Sequence, residues 1–169
     1  ASHFWAVIIG IDAYPNSELH GCVSDALSME DYFCNVLGVP QDHLQLLLGP
    51  KGHNPRDNNA IPSRQNIIGT LLGLITNPDI MQGDNIIIYF SGHGSSYLWK
   101  DYYSDDFQSS ENEPDVFATG SVEALCPIDR NEHEDTGYPI PDISDREINI
   151  ILSEIARVKG NHITLILDC

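Results

Sequence analysis

Basic residues are scarce. Eight Lys and Arg stand against 25 Asp and Glu in 169 residues, a formal net charge of −17. A surface that acidic repels phosphate, and no Lys/Arg cluster offsets it. This argues against a nucleic-acid binder and against docking on an anionic membrane. Long apolar runs are missing too. The longest, Phe4 to Ile11, is too short to span a bilayer, and no charged segment precedes it to suggest a signal peptide. Cysteine is sparse: Cys22, Cys34, Cys126 and Cys169 are scattered without CxxC spacing, which speaks against a disulfide framework and a structural zinc site. No internal repeat is present. What remains is one acidic domain, expected in a reducing compartment, the cytoplasm and also the nucleus. A chain of this length buries roughly 70% of the surface that its unfolded form exposes.

Four short runs, Phe4–Ile9, Leu44–Leu48, Asn85–Phe90 and Ile163–Leu167, are nearly continuous in aliphatic and aromatic residues. Continuity rather than alternation predicts strands covered on both faces, as in a parallel sheet. Helical spacing lies between them. Ser24 is the expected N-cap of a helix through Leu37, stopped by Gly38. Ser63 caps a second helix with Ile67, Ile68, Leu71, Leu72 and Ile75 on one face. Ser144 caps a third, with Glu147 completing a capping box and Ile148, Ile151, Leu152 and Ile155 inward. This order predicts an α/β fold with a mostly parallel central sheet, helices on both faces and right-handed crossovers. The stretch from about Ser95 to Pro141 reads as an irregular excursion. Within it, Asp101 to Asp115 holds six acidic and no basic residues, the composition of a mobile solvated loop. Asp101, Asp105 and Asp106 do not follow the EF-hand pattern.

Open α/β sheets bind ligands beyond the carboxyl ends of their strands. Those ends are Gly10-Ile11-Asp12, Ser91-Gly92-His93-Gly94 and Asp168-Cys169. A His and a Cys therefore leave the same edge of one sheet. A cysteine needs a nearby base to become a nucleophilic thiolate, and glycines beside His93 let a backbone N–H approach a reacting carbonyl. A Cys–His hydrolase follows as the functional hypothesis. Against it, Cys169 could equally be a small core residue at a strand end. The Ser91–Ser95 segment lacks the third glycine of a dinucleotide loop, and no helix opens after it. The other six histidines (3, 20, 43, 53, 133 and 162) show no metal-ligand spacing and read as surface or loop residues.

Four segments carry a specific resemblance: Phe4-Trp5-Ala6-Val7-Ile8-Ile9-Gly10-Ile11, Leu19-His20-Gly21-Cys22-Val23-Ser24-Asp25-Ala26, Tyr89-Phe90-Ser91-Gly92-His93-Gly94 and Leu165-Ile166-Leu167-Asp168-Cys169. In order and spacing the chain resembles the large-subunit region of metacaspases, fungal type I members above all. The resemblance implies the caspase–haemoglobinase fold, of which residues 1–169 supply the first four core strands. It also implies a cysteine endopeptidase made as a zymogen, cutting after Arg or Lys and tied to programmed cell death. His93 matches the catalytic histidine and Gly94 the residue whose N–H helps form the oxyanion hole. Cys22, Asp25, Ser91 and Asp168 match the primary specificity pocket. Two carboxylates in one pocket repel each other, and a guanidinium or ammonium relieves that repulsion. Asp25 would also favour a helix N-terminus through the dipole.

The resemblance has three departures. The family motif is Asp-x-Cys-His-Ser-Gly, so Cys169 matches x and the nucleophile is expected one residue later. A shift of one makes Cys169 itself the nucleophile. The family's remaining strands come from a small-subunit portion of the same precursor, the expected partner beside basic peptide substrates. Many members bind calcium through positions that match Val122, Asp145 and Arg146, with Glu123 replacing Val122 on a one-residue slip. An apolar and a cationic residue are poor ligands for a hard cation, so neither calcium nor another cofactor is expected here. Lys100 and Arg130 bracket the acidic loop and suggest self-cleavage beside it. The rival reading is an inactive caspase-like scaffold, which has no physical need for an acidic pocket.

Overall fold

The computed structural model describes residues 3–52, 61–98, 121–132 and 137–169. In chain order the elements are β1 (Phe4–Ile11), α1 (Cys22–Asp31), β2 (Leu44–Gly49), α2 (Arg64–Thr76), β3 (Asn85–Ser91), β4 (Gly94–Leu98), β5 (Ser121–Leu125), β6 (Ile143–Ser144), α3 (Asp145–Lys159) and β7 (Ile163–Asp168). The central sheet is parallel throughout, in the order β2-β1-β3-β7. Its strands are the four apolar runs, each extended by one or two residues toward the carboxyl edge.

Two cores explain why the runs do not alternate. Trp5, Val7, Ile9, Ile11, Ile86, Ile88 and Phe90 face α2 and α3, where Ile67, Leu71, Leu74, Ile148, Ile151 and Ile155 meet them. Ala6, Ile8 and Tyr89 face the other way, against Ala26 of α1 and Phe33 beyond it. Each residue of β1 except Gly10 is thus apolar for one core or the other.

The caps on α2 and α3 fall where the sequence puts them. Ser63 accepts from Asn66 N–H at 3.2 Å, and Ser144 and Glu147 form the reciprocal capping box. α1 differs. It opens at Cys22, with Gly21 (φ 125°) as N-cap, rather than at Ser24. The physical reason is a distant partner: Asp12, just past β1, accepts the Cys22 N–H at 2.9 Å and does the work of a local cap. The helix then widens into a π turn over Tyr32–Val36 and stops at Gly38, φ 66°.

The excursion also holds structure that its composition hides. β4, β5 and β6 form an antiparallel sheet in that order. β4 is short, polar and half-exposed, and its partner follows a long insertion, so no local pattern announces the pair. The acidic stretch with Asp101, Asp105 and Asp106, together with Lys100, lies outside the described residues.

Three histidines read as surface or loop residues serve as pins at the amino edge of the sheet. His43 stacks on Trp5 at 3.7 Å, His3 Nδ1 lies 2.8 Å from Asp84 Oδ1, and His162 Nδ1 bonds the Gly83 carbonyl. His20 lies beside Lys51, and His53 and His133 fall outside the described residues. No helix among the described residues is long and apolar enough to cross a membrane.

Candidate active site

The register aligns the carboxyl ends of the strands. Gly10 of β1 pairs with Ser91 of β3, and Ser91 with Asp168 of β7. α1 begins directly over this row, because a Cβ on Gly10 would lie 2.6 Å from the Cys22 carbonyl oxygen and 2.7 Å from Ala26 Cβ. Only glycine permits that approach.

His93 sits in the tight link between β3 and β4, and partners from distant segments hold it. Gly92 N–H reaches the Asp168 carbonyl at 3.3 Å, and the His93 carbonyl accepts Cys126 N–H at 3.0 Å. The His93 N–H donates to the Tyr14 hydroxyl at 3.0 Å. Its ring Nε2 lies 2.7 Å from the Ser17 carbonyl. A carbonyl only accepts, so Nε2 carries the hydrogen and in the neutral ring Nδ1 keeps the lone pair. The imidazole is therefore oriented with a basic nitrogen turned away from its anchor.

Gly94 is prepared as a donor. The Cys126 N–H to His93 carbonyl bond makes 93/126 the hydrogen-bonded pair at the end of the β4–β5 ladder. Pairs alternate along an antiparallel ladder, so 94/125 is the non-bonded pair and the Gly94 N–H points away from β5. β4 is an edge of its sheet, which leaves that N–H facing outward.

The predicted pocket residues are brought together on the α1 side of β3 and β7. Asp168 Oδ2 lies 3.2 Å from the Tyr89 hydroxyl and 3.5 Å from Ser91 Oγ. Burial raises the pKa of the Cys22 thiol, the nearby Ser91 hydroxyl lowers it, and the charges of Asp12, Asp168 and Asp25 raise it further. Burial likewise raises Tyr89, with Asp168 and Asp25 among the contributing charges. Both titratable neighbours thus sense both carboxylates. Among the described residues, Asp168 is held by neutral hydroxyls rather than by a cation.

Cys169 lies elsewhere. A Cβ on Gly94 would be 3.4 Å from its Sγ, and the residue lines a groove of about 590 Å³ with His93, Leu165, Leu167, Ile148 and Leu125. None of Cys22, Asp25, Ser91 or Asp168 lines that groove. The pocket and the groove occupy opposite faces of β7.

Arg130 corrects one expectation. Its guanidinium binds both carboxylate oxygens of buried Asp142, Nε to Oδ1 at 2.9 Å and Nη2 to Oδ2 at 2.8 Å. Tyr97 and Ser95 of β4 donate to the same Oδ2 at 2.5 and 2.7 Å. Burial raises the Asp142 pKa, but Arg130 and these hydroxyls outweigh it and hold the carboxyl below its usual range. Arg130 thus fastens β4 to the segment before β6 and is unsuited to be a scissile residue.

The matching positions for a family calcium site fit that ion poorly. Val122 is 1% exposed and contributes only an aliphatic side chain. Arg146 brings a cation beside Asp145, whose Oδ1 already accepts the Arg146 N–H at 2.8 Å. Glu123, the alternative to Val122, accepts from Ser96 and Ser121 hydroxyls at 2.9 and 3.0 Å.

The sequence pattern did not single out Tyr14, Ser17 or Tyr89. Tyr14 lies in the segment directly after β1, where the strand-end rule could have drawn attention to it. Ser17 acts through its backbone carbonyl, which no residue type announces.

Comparison with known proteins agrees with this architecture. Residues 5–169 match the family model described as metacaspase, peptidase C14 domain. Metacaspase-3 of Arabidopsis thaliana is 33% identical over 148 residues, 87% of this chain and 34% of that protein. Metacaspase-1 of Schizosaccharomyces pombe is 29% identical over 138 residues, 80% of this chain and 30% of that protein. Metacaspase-1 of Mycosarcoma maydis is 27% identical over 164 residues, 96% of this chain and 34% of that protein. The fold is that of a caspase-like α/β domain. The chain belongs to the metacaspases, a family of cysteine peptidases, and it spans about a third of the length of these relatives.

Proposed function

We propose that this chain is the large-subunit portion of a cysteine endopeptidase that cleaves after Arg or Lys. The observation that carries this reading is the cluster under α1 at the carboxyl ends of β3 and β7, where Asp168 lies 3.2 Å from the buried Tyr89 hydroxyl and 3.5 Å from Ser91 Oγ, and half-buried Cys22 faces the charges of both Asp25 and Asp168. A substrate guanidinium there offsets their repulsion and makes charge-assisted hydrogen bonds, whereas a substrate carboxylate adds a third like charge.

The nucleophile is the residue after Cys169. Side chains alternate along a strand, and Cys169 shares its groove with Leu165 and Leu167, opposite Asp168. The next side chain returns to the Asp168 face, where the basic residue of the substrate is held. Its thiolate attacks the carbonyl carbon while the Gly94 N–H receives the developing oxyanion. The tetrahedral adduct collapses, the C–N bond breaks, and His93 gives its proton to the leaving amine. Water, deprotonated by His93, then attacks the thioester and releases the acid and the thiol. The small-subunit portion of the same precursor is the partner this reading requires.

Two electrophilic peptide probes, one ending in Arg and one in Asp, test this on the complete protein with the labelled residue mapped by mass spectrometry. The Arg probe is expected to label the residue after Cys169, and Asp25→Ala to slow that labelling at least tenfold, as loss of a hydrogen bond to a charged group requires. Equal labelling by both probes refutes the basic specificity, and none on folded protein refutes the reading and favours a scaffold. We further propose that the positions of Val122, Asp145 and Arg146 hold no calcium. Calorimetric titration of the complete protein is then expected to show no tight site that Asp145→Ala abolishes.

A further inference from the structure

In an antiparallel ladder the two residues of a hydrogen-bonded pair exchange both N–H···O bonds. The pair 93/126 keeps only one of them directly, from Cys126 N–H to the His93 carbonyl. In place of the other stands a phenol. His93 N–H donates to the Tyr14 hydroxyl at 3.0 Å, and that hydroxyl donates to the Cys126 carbonyl at 2.9 Å. The first rung of β4–β5 is thus closed through a side chain from the loop after β1. The directions are fixed, since an amide N–H only donates and a carbonyl only accepts. A hydroxyl can do both in one place; phenylalanine can do neither.

Three further observations converge on Tyr14. It is 3% exposed, and burial is the first cause of a strongly raised hydroxyl pKa, so the phenol remains a proton donor. A Cβ on Gly92 would lie 2.6 Å from its oxygen, so the backbone before His93 is shaped around this hydroxyl. Its ring stands 4.6 Å from the His93 ring at 52°, which limits how the imidazole can tilt. The loop that carries Tyr14 also carries Ser17, whose carbonyl anchors His93 Nε2, and Ser17 N–H folds back on the Tyr14 carbonyl at 3.4 Å. One short segment therefore controls both ends of the histidine: the backbone through a hydroxyl, and the ring tip through a carbonyl.

We propose that Tyr14 is a positioning residue of the peptidase: its hydroxyl, inserted in the β4–β5 ladder between His93 and Cys126, sets the orientation of the His93 ring and of the Gly94 N–H toward the reacting carbonyl. This rests on the peptidase reading above. The residue touches no reacting atom and makes no hydrogen bond to Asp25 or Asp168, so its loss is expected to affect chemistry and to leave recognition of the basic side chain intact.

The test uses the complete protein with Arg peptide substrates. Tyr14→Phe keeps the ring and deletes the bridge. It is expected to lower kcat about 10- to 100-fold, the range in which small misplacements of reacting groups fall, with KM unchanged. A second readout is alkylation of the nucleophile by iodoacetamide as a function of pH, followed on its own peptide by mass spectrometry. An aligned imidazolium lowers a thiol pKa below about 8.5. In Tyr14→Phe the acid limb of that profile is expected to move up toward this value, a shift that loss of stability alone does not produce. Should Tyr14→Phe fail to fold, 4-aminophenylalanine at position 14 keeps the donor to Cys126 and only a weak acceptor for His93. A smaller loss confined to kcat is expected there. An unchanged kcat in the folded variant, or a change in KM alone, overturns the proposal. Wild-type protein that cleaves no Arg substrate overturns the peptidase reading and this inference with it, and an active wild type with an indifferent Tyr14→Phe overturns this inference alone.

Discussion

His93→Ala in the complete protein is expected to lower kcat for Arg substrates by about 10²- to 10⁴-fold, the span that a positioned general acid–base supplies. KM should change little, because the pocket proposed for the basic side chain, formed by Cys22, Asp25, Ser91 and Asp168, stands on α1, β3 and β7, on the other face of β7 from the groove that His93 lines. The fold should survive. The polar anchors of this link on the main chain, namely the N–H to Tyr14 and the carbonyl to Cys126, do not use the side chain; what is lost is the Nε2 contact with Ser17 and the ring contact with Tyr14. Steady-state kinetics beside a thermal melt separate the two effects. A variant that keeps more than a tenth of wild-type kcat would remove His93 from the chemistry.

The second large effect is on stability. Gly10→Ala adds a methyl where the Cys22 carbonyl oxygen and Ala26 Cβ would be 2.6 and 2.7 Å away, with Val23 Cα at 3.1 Å. All three belong to α1, two of them to its backbone, so no flexible side chain can turn aside. The helix must lift from β1 or the strand must bend, and overpacking of this kind costs about 1–3 kcal/mol. A domain stabilised by only about 5–15 kcal/mol registers that as a clear drop in denaturation midpoint. Because α1 carries Cys22 and Asp25, the same shift moves one pocket carboxylate relative to Asp168. Gly10→Ala should therefore raise KM for Arg substrates as well, a coupling that chemical denaturation and kinetics on the same sample would detect. Unaltered stability would mean that α1 does not sit as closely on β1 as described.

The architecture was legible in proportion to how local its causes are. The four core strands declared themselves because both faces of the sheet are covered, which suppresses alternation in β1 and β3. Ser63 and Ser144 were legible as caps because their partners lie three residues on. Gly21 was not, since its helix is capped from Asp12 across a loop. β4 and β5 escaped notice because each is short, β4 is polar, and β4 is anchored on Asp142, which lies 45 residues beyond Tyr97. The same division runs through the site. His93 between glycines at a strand end is a local signature, and the structure puts it at the carboxyl edge with Asp168 and Ser91 in register. Tyr14, Ser17 and Tyr89 act through partners far away in sequence, one of them through a main-chain atom, and such roles leave no pattern to read.

The closed ring of hydrogen bonds among Tyr14, His93 and Cys126 has a consequence for how the molecule comes together. Its members are separated by 79 residues between Tyr14 and His93 and by 112 between Tyr14 and Cys126. Closing such loops costs entropy that only the finished packing of β1, β3 and β5 repays, and contacts this distant form late in folding. The histidine is therefore present in any partly folded chain, but its alignment is not. A nascent or misassembled molecule carries His93 and Gly94 without the geometry that the proposed chemistry needs, and that geometry arrives together with the completed fold.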